Sequence, residues 1–493
     1  MQLKTLLAAT PVREIIGPTD RAVESIAYDS RRVQRDGLFV ALRGEKSDGH
    51  NFIGQAIEKG AAVIVAERAE KHSRATCVVV ENTRSAMADL SARFYNFPAR
   101  KLKLAAVTGT NGKTTTTFLI KHICEKAGMR CGLLGTVRYE IGERVLPAAR
   151  TTPESLDLQE LLSQIANAGC RGAAMEVSSH ALAQERTRGI EWDVAVFTNL
   201  TQDHLDYHGT MRNYFEAKAK LFEQLAQQQK KKKPVAVINI DDRYGRQLLA
   251  KIDKKVSVVT FGMGASADFR ASNYRMEFAG TSYQLDARGK SYLVRVPLIG
   301  RFNVANSLAA LAAATALGVG LREAVLSLAK SPQVPGRLEI VPAKRQFQVF
   351  VDYAHTPDAL LNVIKTLREL EPRRLIVVFG CGGNRDREKR PLMGQVVDQK
   401  ADYAIITSDN PRKEDPDKII AEVEKGFRGN HFEKITDRAQ AISRSIEIAQ
   451  PRDIVLIAGK GHENYQEFAD HTVPFEDIQV ARRAVENHPV EFK

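Results

Sequence analysis

The 493-residue sequence has no apolar run near the ~20 residues that a membrane-spanning helix needs. Its amino terminus also lacks the long apolar core of a signal peptide. A cytoplasmic protein with no membrane span is expected. Cysteine is sparse: Cys77, Cys124, Cys131, Cys170 and Cys381 are scattered, with neither Cys-x-x-Cys nor Cys/His metal spacing. That argues against a disulfide framework or a zinc site, so they read as free and mostly buried thiols. Dense basic runs are scarce too. The net charge is +13, yet the one such run, Lys230 to Lys233, reads as a solvated helix end or loop before a strand. Anionic small substrates explain the charge as well as nucleic acid does, and no nucleic-acid partner is expected.

What is present is an ordinary globular composition, 43% hydrophobic and 27% charged, long enough for three domains. Residues 1–98 alternate short apolar runs (Gly37 to Leu42, Ala61 to Ala66, Cys77 to Val80) with helical patterns, which predicts a small N-terminal α/β domain. Residues 99–332 carry apolar strands at Leu104 to Val107, Gly132 to Leu134, Ala173 to Val177, Val194 to Phe197, Val235 to Ile240 and Val256 to Phe261. With helical stretches between many of them, a central P-loop-type ATPase domain with a largely parallel sheet is expected. Pro332, Pro335 and Gly336 then mark a hinge. Residues 333–493 repeat the alternation and predict a doubly wound, Rossmann-like domain with ligands at its strand ends. Polar, glycine-rich segments follow its strands: Gly380 to Asp386, Ser408 to Arg412 and Gly459 to Glu463.

The most informative stretch is Thr108-Gly109-Thr110-Asn111-Gly112-Lys113-Thr114-Thr115, set between an apolar run and a helical segment. A phosphate chain needs close backbone N–H groups, a helix N-terminus, a Lys for the β/γ-phosphates and a hydroxyl for Mg²⁺. Gly109, Gly112, Lys113 and Thr114 meet those needs, with Lys113 expected on a solvent-facing loop. The usual pattern has its first glycine where this chain has Val107, so the loop is shortened.

Acids and imidazoles follow the next two strands, in Glu176-Val177-Ser178-Ser179-His180 and in Asp203-His204-Leu205-Asp206-Tyr207-His208. Beside a phosphate loop they suit a hard cation bridging phosphate and substrate. Glu176 and His204 read as functional; His180, Asp206 and His208 read as solvated or capping. Gly300 to Asn306 reads, from its residues alone, as an Asn303 N-cap with a packed Phe302. By composition Lys218 reads as an exposed lysine.

Taken together, the loop, Met175 to His180, Asp203 to Gly209, Phe302 to Asn306, Pro335-Gly336-Arg337, Asp352 to Asp358 and Gly459 to Glu463 resemble the Mur ligases of peptidoglycan synthesis, in that family's order and over nearly the whole chain. Among them the resemblance is to the ligases that add the third residue of the stem peptide, and Asp409-Asn410-Pro411-Arg412 is similar to the form specific for meso-2,6-diaminopimelate. The departures are small: Ala106 stands where some relatives have Gly, and Pro153-Glu154 follow Thr152.

The resemblance implies an ATP- and Mg²⁺-dependent monomer acting on UDP-N-acetylmuramoyl-L-alanyl-D-glutamate and diaminopimelate. It assigns ATP to Gly109, Thr110, Asn111, Gly112, Lys113, Thr114, Thr115, Asn303, Asn306, Arg337 and Asp352, across the domain gap. Mg²⁺ falls to Thr114, Glu176, His204 and Lys218, the last as a carbamate; Lys113, Glu176, His204 and Lys218 form the catalytic set. Ser30, with the Gly44 to Gly49 loop, is implied for the uridine end, and Thr151, Thr152, Ser178, Gln184 and Arg186 for the muramoyl dipeptide. Arg385, Asp409, Asn410, Pro411, Arg412, Gly459 and Glu463 are implied for diaminopimelate.

A carboxylate is a poor electrophile, so the implied reaction passes through an acyl phosphate, with closure at the hinge excluding water. No residue stands out as general base for the incoming amine. A lysine-adding form and a folylpolyglutamate-type ligase share the chemistry. A P-loop switch or nucleic-acid ATPase would account for the loop and the charge but not for the three C-terminal glycine-rich segments.

Overall fold

Short apolar runs separated by helices build three main β-sheets, seen in a computed structural model that describes residues 1–8, 10–44, 47–229, 231, 233–343 and 345–487. The first sheet holds β1 (Glu14–Ile16), β2 (Ile26–Ala27), β3 (Gly37–Val40), β4 (Ala61–Ala66) and β5 (Thr76–Val79), in the order β1-β5-β4-β3-β2. Only β1 pairs antiparallel. Val63 and Val65 of β4 face one core with Leu3, Leu6 and Leu90, while Ile64 and Ala66 face another with Ile53 and Ala56. A sheet buried on both faces needs unbroken apolar strands, which is how these runs look in the sequence.

The second sheet contains β6 (Lys103–Thr108), β7 (Cys131–Leu134), β8 (Arg138–Ile141), β9 (Arg144–Pro147), β10 (Gly172–Glu176), β11 (Val194–Phe197), β12 (Val235–Asn239) and β13 (Ser257–Gly262). Their order is β13-β12-β11-β6-β10-β7-β8-β9. From β13 to β7 every pairing is parallel, as expected; β8 and β9 add an antiparallel edge that the apolar pattern did not mark. Strand β6 is flanked by β10 and β11. Glu176 pairs with Val107 and Phe197 with Thr108, so the segments after β10 and β11 emerge on either side of the loop after β6. This register assembles the site.

The helix Met211–Gln227 covers one face of that sheet. Thr210 caps it, its hydroxyl accepting from Asn213 N. Its buried positions Tyr214, Phe215, Lys218, Leu221, Phe222 and Leu225 recur at helical spacing, so Lys218 sits within the apolar stripe. Strands β14 (Phe269–Glu277), β15 (Gly280–Ala287) and β16 (Lys290–Val296) were not anticipated. β15 alternates half-buried and buried residues, the period-two pattern of a strand with one face covered, which continuous apolar runs do not reveal.

The third sheet is β17 (Glu339–Ile340), β18 (Gln348–Asp352), β19 (Leu375–Phe379), β20 (Tyr403–Ile406), β21 (Phe432–Lys434) and β22 (Ile454–Ala458), ordered β17-β18-β22-β19-β20-β21. All but β17 are parallel. It is doubly wound: Phe350, Val377 and Leu456 face Leu360, Ile364, Met393 and Ile420, while Val349, Val351, Ile376 and Ile457 face Ile442, Ile446, Ala481 and Val485.

Two compact units emerge. The first comprises Met1–Arg270, Asp286–Lys290 and Ala305–Ser327; the second comprises Ala271–Leu285, Ser291–Val304 and Leu328–Lys493. Among the described residues no helix is long and apolar enough to cross a membrane. All five cysteines are free and buried. Lys230 and Lys232 lie outside the described residues. Lys231 departs from the expected solvated run: its ammonium is mostly buried, paired with Asp193 and donating to Leu102 O.

Candidate active site

The loop after β6 turns directly into the helix Lys113–Lys126. Gly109 and Gly112 have φ of +151° and +86°, and a Cβ would collide with Thr198 Oγ1 at the first and with Asn306 Oδ1 at the second. Only glycine lets those side chains approach. The loop is tied to the segment after β11: Thr110 N donates to Asn199 O (2.9 Å), Asn111 N to Asn199 Oδ1 (3.0 Å), and Thr198 Oγ1 to Asn111 O (2.6 Å). Lys113 corrects one expectation. It is half-buried rather than solvent-facing, because Nζ folds back to donate to Gly109 O (3.0 Å) and Thr110 O (2.8 Å). Thr114 and Thr115 are buried behind it.

Glu176, at the end of β10, is 1% exposed. Its carboxylate accepts from Thr136 N (2.8 Å) and Thr136 Oγ1 (3.0 Å), and Thr136 Oγ1 lies 3.1 Å from Thr151 Oγ1. Thr152 Oγ1 donates to Glu176 O (2.9 Å) and accepts from Ser178 N (3.1 Å). Arg186 Nη1 donates to Thr152 O (2.9 Å), and its Nη2 to Gln184 Oε1 (2.6 Å). The Ser178 hydroxyl caps the helix Ser179–Ala183 by accepting from Ala181 N. Thr151, Thr152, Ser178, Gln184 and Arg186, far apart in sequence, thus form one hydrogen-bonded group with Glu176. Thr136 was missed. It follows β7 as Gly135-Thr136, a small polar pair at a strand end, which is a weak signal without its neighbours.

After β11, His204 takes the left-handed conformation (φ +53°) with Nε2 3.4 Å from Asp203 Oδ2. Burial is the largest influence holding its pKa below the ordinary histidine value. His180 packs edge-on against His204, ring centroids 4.9 Å apart, and against Tyr207. Asp206 is exposed, as expected of a solvated residue. His208 is not: it is 8% exposed, with Nε2 2.9 Å from Ser179 Oγ and its ring stacked on Tyr214. Burial, then the neighbouring His180, Lys218 and His204, push its pKa down to about 4. Lys218 also overturns its reading from composition. It is 1% exposed, donates to Gly109 O (2.8 Å) and lies over the Tyr214 ring (4.6 Å). Burial first, then the charge of Lys113, hold its pKa well below the ordinary lysine value.

Elsewhere in the first unit, the buried Ser30 hydroxyl donates to Gln55 Oε1 (2.7 Å). Within Gly44 to Gly49, residues 45 and 46 lie outside the described set. Asn306 is 5% exposed, inside the helix Arg301–Ala316.

The second unit holds Asn303, Arg337, Asp352 and the residues expected to take the amino acid. Asn303 is not an N-cap. The helix already starts at Arg301, Gly300 O accepts from both Asn303 N and Val304 N, and Asn303 Nδ2 donates back to Ile299 O (2.8 Å). Phe302, expected to be packed, is 36% exposed. Asp352 accepts from Leu338 N and Ala354 N, its pKa raised by burial, and Arg337 lies over the Tyr353 ring. Asn410 Nδ2 donates to Glu463 Oε2 (2.8 Å), and Asn410 Oδ1 accepts from Lys460 Nζ (2.9 Å). Asp409 Oδ1 accepts from Asn410 N (2.6 Å), and a Cβ at Gly459 would come within 2.8 Å of its other oxygen. Arg412, next to Pro411, donates to Glu467 Oε2 (2.8 Å) and Gly383 O (2.9 Å). Arg385 is exposed. Lys460, fully buried and bridging Asn410 and Glu463, was missed despite standing in a quoted motif.

Three family models match in order: "Mur ligase family, catalytic domain" over residues 22–95, "Mur ligase middle domain" over 107–314 and "Mur ligase, glutamate ligase domain" over 336–461. The UDP-N-acetylmuramoyl-L-alanyl-D-glutamate--2,6-diaminopimelate ligase of Geobacillus kaustophilus (strain HTA426) is 47% identical, covering 98% of this chain and 99% of the relative. The ligase of the same name from Geobacillus thermodenitrificans (strain NG80-2) is 45% identical with the same coverage. A solved structure of a ligase of that name superposes with a TM-score of 0.72 at 35% identity, covering 99% of both chains. At such identity over almost the full length, the chain belongs to the Mur ligase family.

Proposed function

We propose that the protein is an ATP-dependent, ADP-forming ligase that joins the amine of meso-2,6-diaminopimelate to the side-chain carboxylate of the D-glutamyl residue in UDP-N-acetylmuramoyl-L-alanyl-D-glutamate. The observation that carries this reading is the hydrogen-bonded group Thr136-Thr151-Thr152-Ser178-Arg186 built on Glu176, one strand from the phosphate loop. Such an arrangement can hold a second anionic substrate beside a triphosphate, which an ATPase switch has no need of.

The carboxylate oxygen attacks the γ-phosphorus, an O–P bond forms and the bond to ADP breaks. The amine then attacks the acyl carbon, and the tetrahedral adduct expels phosphate and loses a proton. Lys113, at the helix N-terminus, offsets the charge on the phosphates, and catalysis is mostly positioning and neutralisation. Mg²⁺ prefers one or two protein oxygens plus phosphates. The buried carboxylate of Glu176, at the end of β10, and the hydroxyl of Thr114, after the neighbouring β6, offer oxygen donors of that kind. Thr114, Glu176, His204 and a carbamate on Lys218 would hold it, and the bound ion would supply further charge neutralisation. Carbamate formation needs an unprotonated amine, and the depressed pKa of the buried Lys218 favours that form. Asn410, Arg412 and Glu463 take diaminopimelate in this reading.

The three sheets support domains at 1–98, 99–332 and 333–493, and the proposed reading is of a cytoplasmic monomer. The test is ADP release measured with each substrate omitted in turn, with diaminopimelate and lysine in parallel. Release that needs neither the muramoyl dipeptide nor the amino acid would overturn the ligase reading, and a preference for lysine would overturn the amino-acid assignment.

A further inference from the structure

The helix Met211–Gln227 sends two side chains to consecutive residues of the phosphate loop. Lys218 donates to the carbonyl of Gly109, and Tyr214, one turn earlier on the same face, places its hydroxyl 3.2 Å from Thr110 Oγ1. The lysine has a part in the functional reading above; the tyrosine has none. Tyr214 is nonetheless 1% exposed and meets a residue 104 positions away in the sequence.

Thr110 Oγ1 is fully engaged. It accepts from Thr201 N (3.1 Å) and donates its one proton to Thr201 O (3.2 Å). A lone pair is left for Tyr214, whose hydroxyl is therefore the donor. Burial is the largest influence on that phenol and raises its pKa, so the proton stays on it. The ring that carries the hydroxyl is held in turn: His208 stacks on it with centroids 5.1 Å apart, and the Lys218 ammonium lies over it.

Thr110 bears directly on the loop. Its N–H donates to Asn199 O, and its carbonyl accepts from Lys113 Nζ at 2.8 Å. Gly109 and Gly112, with φ of +151° and +86°, flank this stretch. Glycine leaves the backbone there few restraints of its own, so bonds from outside the loop must fix the peptides in between.

We propose that Tyr214 is a positioning residue for nucleotide binding: its hydroxyl, acting through Thr110, fixes the phosphate loop in the shape that receives the phosphates before nucleotide arrives. A loop already in its bound shape loses less freedom on binding. The inference rests on the nucleotide-binding part of the functional reading above.

The test is calorimetric titration of ADP into the wild type, Tyr214→Phe, Thr110→Val, Thr110→Ser and the double variant Tyr214→Phe/Thr110→Val, with a melting curve and steady-state kinetics for each. Tyr214→Phe keeps the buried ring and removes the hydroxyl, so ADP should bind about fivefold more weakly, in keeping with one hydrogen bond. The KM for ATP should rise with kcat little changed, because a preset loop serves ground state and transition state alike. The KM values for the muramoyl substrate and the amino acid should stay as they are. In the Thr110→Val background the loss of the tyrosine hydroxyl should cost nothing further, since its acceptor is gone. Thr110→Ser, which keeps the acceptor, should bind ADP as the wild type does. Wild-type affinity in correctly folded Tyr214→Phe overturns the proposal. So does a loss that persists undiminished in the Thr110→Val background, which would assign the effect to packing. If Tyr214→Phe does not fold, Thr110→Ser and Thr110→Val decide: equal affinities overturn the proposal, and weaker binding by the valine variant alone supports it. If the wild type binds no ADP, the nucleotide reading itself falls, a result distinct from the others.

Discussion

The Lys218 ammonium nitrogen lies 2.8 Å from the carbonyl oxygen of Gly109, so a lysine from the middle of a helix reaches the first glycine of the phosphate loop. Lys113 Nζ reaches the same carbonyl at 3.0 Å. Two lysines on one acceptor set the polarity of the site before any substrate arrives, and one of them is deeply buried.

Lys218→Ala should be nearly inactive while remaining folded, and a small carboxylate such as acetate should restore part of the activity by filling the vacated space. Density for the nucleotide-bound enzyme should show three extra atoms beyond Nζ. A bare ammonium at high occupancy in active enzyme would sink the carbamate assignment.

For Lys113→Ala, ligation should fall by on the order of 100-fold or more, as for loss of a charge stabiliser. The melting temperature should change little, because the two carbonyls that accept from Nζ, of Gly109 and Thr110, belong to its own loop. ADP release and thermal melting, measured on one preparation, check both halves.

Gly112→Ala should weaken nucleotide binding by at least about tenfold, since φ of +86° costs a non-glycine residue about 1–3 kcal/mol and the new Cβ meets Asn306 Oδ1. Relief of the clash would displace Asn306, which is itself assigned to ATP. Titration of ADP by calorimetry measures the loss.

Arg412 is paired with Glu467; under the proposed function it exchanges that partner for the far carboxylate of diaminopimelate. Arg412→Ala should lower kcat/KM for diaminopimelate by about 2–4 kcal/mol. Glu467→Gln should instead lower the KM, by removing the competing carboxylate. An unchanged or higher KM in Glu467→Gln would argue against the exchange.

His208 supplies the pH prediction. Its pKa falls from the ordinary 6.5 to about 4 on folding, so between those values the unfolded chain takes up a proton that the folded chain does not. Stability should therefore decline as pH falls from 6.5 toward 4 and be unaffected by this group above that range. Burial, then His180, Lys218 and His204, lower it, and the charge of Asp206 opposes them. His208→Gln should flatten the decline in melting temperature across that window; an unaltered slope would assign it to other groups.

Much of the site was legible because its chemistry is local. Gly109 to Thr115 follows a strand and opens a helix within one short stretch, and its signal needs no distant partner. Glu176 and His204 follow two further strands, and parallel pairing puts consecutive strand ends on one edge. Lys218 was half-legible: its position in the stripe Tyr214, Leu221, Leu225 marks an inward face, although composition argued for an exposed lysine. Asn303 misled because an asparagine just before a helical run reads as a cap, whereas the helix begins two residues earlier, at Arg301, and the Asn303 amide turns back on Ile299. Strands β14 to β16 were missed because one exposed face breaks the apolar run.

By itself the sequence determined which continuous apolar runs become buried strands, where the phosphate loop lies and to which family the motifs are similar, since each depends on residues within a few positions of one another. Only the tertiary structure decided that Thr136 bonds Glu176, that Lys218 and Lys113 share a carbonyl, that Glu467 occupies Arg412 and that Tyr214 meets Thr110. The physical reason is that each of these groupings brings in a residue tens of positions away. Their distances follow from strand register and helix packing, which no local pattern encodes.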